Sequence, residues 1–127
     1  MSSVGTVASF DALGFDPAPG DLAQLSTAAQ ICRALATALL AATGPLALPM
    51  ALTANALSRW ETALGELKHR ARVLELDARQ AQDNARPIDR TGANSLRERH
   101  RVLVEQVTAE LAVAAELARI YSASLPR

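Results

Sequence analysis

The chain has 127 residues, half of them apolar but only 3% aromatic, and its 13 basic and 13 acidic side chains cancel. That length suits one domain with one core, and the charge balance excludes a global field that would steer the protein to nucleic acid or anionic lipid. Cys32 is the only cysteine, which excludes an internal disulfide.

The apolar content is mostly Ala, Leu and Val. Ala and Leu lose little side-chain freedom in a helix, so an all-α fold is expected. A core rich in Ala is thin and leaves apolar surface for a partner. The charge is slightly polarised: residues 1–58 hold Asp11, Asp16, Asp21 and Arg33, net −2, and residues 59–127 hold 12 basic against 10 acidic side chains, net +2. Lys68 is the only lysine, and with so much alanine this suggests a GC-rich, actinobacterial source. The stretch from Met1 to Asp21 has no basic residue and no compact apolar run, so no Sec or Tat signal is expected. The protein is expected in the cytoplasm until any export, which would take a leaderless route.

Residues 1–20 read as an extended leader whose Phe10, Leu13 and Phe15 are placed to staple it onto a bundle. The run Asp16-Pro17-Ala18-Pro19-Gly20-Asp21 is helix-start chemistry: proline cannot continue a preceding helix, and Asp21 can accept from free N–H groups of a first turn. The first helix is expected from Asp21 to Thr43, with Leu22, Leu25, Ala29, Cys32, Ala36 and Leu39 on one face. Gly44-Pro45 ends it, and Pro49 is expected to keep the connection irregular for another turn.

The second helix is expected from Thr53. Its seam reads Leu57, Trp60, Leu64, Leu67, Ala71, Leu74, Ala78, Ala81 and Ala85, with spacings alternating four and three, the pattern of a long helix packed at a shallow angle. Arg59, Glu66, Arg70 and Asp77 mark its outer face, and Pro87 stops it. A turn-rich linker from Arg86 to Asn94 follows. The third helix is expected to open at Ser95 with the capping box Ser95-Leu96-Arg97-Glu98. Its seam is Val104, Val107, Leu111, Ala114, Ala118 and Tyr121, widened by Leu103, Leu117 and Ile120. Short connections make sequential helices antiparallel neighbours. The expected architecture is therefore three long helices in one antiparallel bundle, residues 21–127, behind the leader.

The chemistry-bearing residues are sparse. Residues 34–58 carry no charge over 25 positions, long enough to span a bilayer. Gly44, Pro45 and Pro49 interrupt that run, and broken backbone in lipid needs other protein to satisfy it, so a buried apolar region is favoured over a membrane span. Glu66-Leu67-Lys68-His69 has the Glu-x-x-His spacing of di-iron bundles, but that site needs two such pairs, and Glu98-Arg99-His100 does not supply the second. Cys32 lies on an apolar stripe without a cationic neighbour, the setting of an inert thiol. No metal, no cofactor and no enzymatic activity are expected. Arg79, Arg86, Arg90, Arg97, Arg99 and Arg101 gather at the second junction, but interspersed acids and the lack of aromatic residues disfavour nucleic acid.

The segment Gly14-Phe15-Asp16-Pro17-Ala18-Pro19-Gly20-Asp21, leading into an Ala-rich helix and then to Trp60 and a second long helix, resembles the Trp-X-Gly (WXG-like) small helical proteins of type VII secretion over residues 14 to about 85. Four features depart from that pattern. Trp60 lies inside the expected second helix and not at the hairpin turn, and the third helix is an addition to the family's simple hairpin. Glu61-Thr62 follow Trp60 where the family has its glycine, and Tyr121 is followed at +4 by Leu125 where the export signal has an acid. The resemblance implies a secretion substrate or its pairing partner. The rival is a cytoplasmic helical adaptor, a phage or regulatory component, that uses the Arg-rich end to bind nucleic acid or protein. Under either reading the chain acts by packing helices against a helical partner or a second copy, with Trp60, Leu64, Leu67, Leu103, Leu111, Leu117 and Ile120 expected at the interface.

Overall fold

The computed structural model describes residues 10–41 and 45–123. Three α-helices follow one another: α1 (Leu22–Ala41), α2 (Ala47–Asp83) and α3 (Thr91–Ala123). Among the described residues there is no strand, and the all-α helical bundle holds.

Local chemistry explains each helix end. Asp21 caps α1 as expected, its Oδ1 accepting from Gln24 N–H at 3.0 Å. The expected extension of the first helix to Thr43 and its cap at Gly44 lie outside the described residues. α2 starts earlier than expected, and Pro49 sits in its first turn instead of prolonging the connection. A first-turn N–H has no intrahelical acceptor, so proline forfeits nothing there. The hydroxyl of Thr53 donates back to the Pro49 carbonyl at 2.9 Å.

α2 ends in a Schellman motif. Arg86 N–H donates to Ala81 O at 2.8 Å and Ala85 N–H to Gln82 O at 3.1 Å, the paired bonds of that cap. Ala85 takes the left-handed conformation, φ 55°, a place usually filled by glycine. Pro87 follows at once, where a helix can no longer continue.

α3 also starts about one turn ahead of the expected Ser95. Arg90 O accepts its first bond, from Asn94 N–H at 2.9 Å, Asp89 Oδ1 just before it accepts from Thr91 N–H at 2.9 Å, and the Ser95 capping box lies inside the helix. Gly92, expected in a turn, is a helical residue. A Cβ there would meet Leu74 Cδ2 at 3.1 Å, so glycine is present for a close approach of helices.

The packing of the described residues divides into two compact units, residues 10–20 with 64–101 and residues 21–41 and 45–63 with 102–123. In the first, Ala12, Leu13, Ala78 and Ala93 form a buried cluster against which Phe10, Phe15, Leu74 and Ile88 pack. The expected stapling of the leader by Phe10, Leu13 and Phe15 is thus realised. Leu64, Leu67, Ala71 and Leu96 are buried in the same unit. In the second, the buried apolar side chains are Leu25, Ala29, Ala54, Ala56, Val107 and Ala114. The largest fully buried side chains, Leu13, Leu64 and Pro17, all belong to the first unit. The second unit has the thinner core.

Candidate interaction surface

In the first unit the leader is held mainly through its main chain. Residues 10–14 form a single turn closed by Gly14 N–H donating to Phe10 O at 2.7 Å. Gly14 has φ 88°, which a residue without a Cβ reaches without strain. The Glu75 carboxylate on α2 accepts from Leu13 N–H at 3.1 Å and Ala12 N–H at 3.2 Å. Arg90 donates to the carbonyls of the same two residues, from Nε to Leu13 O at 2.8 Å and from Nη2 to Ala12 O at 3.2 Å. Further along, Lys68 Nζ donates to Ala18 O at 3.0 Å, and His100 Nε2 lies 2.8 Å from Pro19 O. Asp16 turns the segment by accepting from Ala18 N–H at 2.9 Å. The guanidinium of Arg97 stands over the Phe15 ring, 4.3 Å from its centroid.

Glu75 is the one buried charged residue among those described, 3% exposed. Arg79 pairs with it at 2.7 Å, one turn on, so the buried charge has an ionic partner as well as two backbone donors. Sequence reasoning missed Glu75. The available signal was an acid flanking the seam residues Leu74 and Ala78 with an arginine four residues later.

This arrangement commits most of the arginine cluster. Arg79 serves Glu75, Arg90 the leader carbonyls, Arg97 the Phe15 ring, and Arg101 pairs with Glu98, Nε to Oε1 at 3.0 Å. Surface electrostatics follow the same local pairs. Hydrogen bonds from Thr91 hold the Asp89 carboxyl below its ordinary value, and Arg101 and Arg119 do the same for Glu98 and Glu116.

The residues expected at an interface separate into three groups. Leu64 and Leu67 are only 1% and 6% exposed and are spent inside the chain's own first unit; they offer no surface to a partner. Trp60, Leu103, Leu111 and Leu117 are half-buried in the second unit. Ile120 alone is exposed. The Trp60 indole N–H is buried without an acceptor. The candidate metal pair Glu66 and His69 is exposed, and no group of three His, Cys, Asp or Glu among the described residues is placed to hold a metal ion. No described helix is long and apolar enough to cross a membrane.

Sequence reasoning missed most of the outward apolar side chains. Among the described residues nine large hydrophobics are exposed, and seven of them lie in the second unit: Ile31, Leu35, Leu40, Leu48, Val102, Val113 and Ile120. Within that unit α1 and α2 are tied by the Arg33 guanidinium donating to Ser58 Oγ, and α2 and α3 by the Arg59–Glu110 ion pair. Val102, Ala109, Val113 and Ile120 fall on one outward stripe of α3, with Gln106 and Glu116 as its polar members. These side chains give the second unit aliphatic area that a partner could bury.

No family model matches the chain, and neither the curated proteins nor the solved structures contain a significant match.

Proposed function

We propose that this is a non-catalytic helical interaction protein whose second unit packs against a helical partner. The observation that carries the reading is the contrast between the two units. The first buries the largest side chains, and the second leaves seven large apolar side chains exposed over a core made largely of alanine. Burying one leucine contributes about 2 kcal/mol, and exposed apolar side chains grouped in one unit mark an interaction site better than scattered ones do.

On this reading the chain is a type VII secretion substrate or the pairing partner of one, held in the cytoplasm until export. The support is the Pro-Gly-Asp start at Pro19-Gly20-Asp21 leading into a capped Ala-rich helix; Trp60 lies well inside the second helix, away from the turn where the family has its tryptophan. An immunoblot of culture filtrate from source cells with and without an intact secretion ATPase tests it. Export that depends on the ATPase is expected, and equal amounts in both strains contradict it.

The rival is an adaptor working through the Arg-rich end. With Arg79, Arg90, Arg97 and Arg101 committed to contacts within the chain, that end has less to offer phosphate groups than its arginine count suggests.

A further inference from the structure

We propose that the outward stripe of α3 is a self-association site that takes the same stripe of a second copy, running antiparallel. The inference rests on the reading above and names its partner and its surface. Val102, Gln106, Ala109, Val113, Glu116 and Ile120 are all exposed and recur at alternating spacings of four and three, the period of a packing seam. It is a second seam on α3, beside the one from Val104 to Tyr121 that is buried or half-buried. At 1.5 Å per residue the outward seam is about 27 Å long.

Two features select a second copy as the occupant. The first is register. The seam reads the same in both directions about Leu111: Val102 and Ile120 lie nine positions either side of it, Gln106 and Glu116 five, Ala109 and Val113 two. A two-fold axis level with Leu111 sets Val102 against Ile120 and Ala109 against Val113. It also brings the Gln106 amide to the Glu116 carboxylate, to which it can donate. Each pair occurs twice, the isologous pattern in which residue i meets j and j meets i, and a polar layer inside an apolar seam fixes its register. The second feature is charge. Glu105 and Arg119 each stand one residue before a seam position, on the side where flanking residues of an antiparallel pair face each other. The same axis brings Glu105 of each copy to Arg119 of the other, two pairs of opposite charge. Glu110, on the seam's other flank and nearest the axis, is ion-paired with Arg59 of its own chain, and Glu116 with Arg119. These acids therefore enter the contact together with their bases.

The test is sedimentation velocity of the full chain at low ionic strength, where exposed pairs are least screened, over a wide concentration range. Variants are checked for helix content by circular dichroism. All the substituted positions are exposed, so folding tolerates them. The unmodified chain is expected to dimerise. Val113→Glu, near the centre of the seam, should raise the dimer Kd at least tenfold, and Leu40→Glu on α1 should leave it within twofold. Glu105→Arg and Arg119→Glu each set like charges across the axis and should raise Kd at least threefold. The variant carrying both restores opposite pairs and should dimerise more tightly than either single one. A strictly monomeric unmodified chain overturns the proposal, as does a dimer weakened by Leu40→Glu and not by Val113→Glu, or a double variant no tighter than the single ones. In each case the broader reading stands where the chain still forms crosslinked adducts with another protein in source cells. A monomeric chain that forms no such adduct overturns both.

Discussion

Glu75 and Arg90 divide the polar groups of Ala12 and Leu13 between them, the acid on α2 taking both N–H groups and the base near the start of α3 taking both carbonyls. Four main-chain groups with no helix of their own are thereby satisfied by two side chains 15 positions apart in sequence. The leader is part of the first unit's fold because of this pair.

Removing Glu75 should therefore be costly. Glu75→Ala strands two buried N–H groups and removes the ion pair with Arg79, and hydrogen bonds to a charged group are each worth about 1.5–3 kcal/mol. Urea denaturation should show a loss of about 3 kcal/mol, with faster amide exchange at Ala12 and Leu13. Arg90→Ala, at an exposed position, should cost less, on the order of 1 kcal/mol. Unchanged exchange at those two amides in Glu75→Ala would contradict the clamp.

Ala85 should welcome glycine. A residue with a Cβ loses roughly 1–2 kcal/mol in the left-handed region, and glycine gives back part of that gain through the unfolded chain. Ala85→Gly should stabilise by about 0.5–1 kcal/mol, seen as a raised Tm. A lowered Tm would mean that the Schellman cap is not held in solution.

Trp60 separates a core role from a contact role. Its buried indole N–H lacks an acceptor, so Trp60→Phe removes an unmet donor and should leave monomer stability within about 1 kcal/mol of the parent. Trp60→Ala should cost about 3 kcal/mol through lost packing. Equal effects of both variants on denaturation would contradict this account.

Acid should loosen the surface pairs in a defined window. The Asp89, Glu98 and Glu116 carboxyls lie below ordinary values of 3.8, 4.5 and 4.5. Groups depressed in the folded state stabilise it fully above those ordinary values and lose that contribution as pH falls through the folded ones. Tm should be level between about pH 7 and pH 5 and fall below about pH 4. Because all three are exposed, the loss should be small. Asp89→Asn should flatten part of that limb. A main transition near neutral pH would contradict the assignment.

Much of the fold was legible because period and punctuation are local. The seam residues Leu64, Leu67, Ala71 and Ala78 are buried where the four-three spacing puts them, and Asp21 caps α1. What was missed depends on contacts between distant segments. Pro49 reads as a breaker until its place in a first turn is known, and Gly92 reads as a turn until Leu74 is seen against it. Glu75 looks like one more solvated acid until the leader folds onto it. The outward Ile31, Leu35, Leu40 and Leu48 were hidden for the opposite reason. An apolar stretch without charge reads as core, and burial is decided by which neighbours arrive to cover it.

The central claim, that the second unit works by covering its exposed aliphatic side chains with a partner, is tested most directly by photo-crosslinking in source cells. A photoreactive residue is placed in turn at Ile31, Leu40 and Val113, and at the exposed first-unit control Gln80. The account predicts discrete protein adducts from the second-unit positions and none from Gln80. Equal crosslinking at all four positions, or no adduct at any, would contradict it.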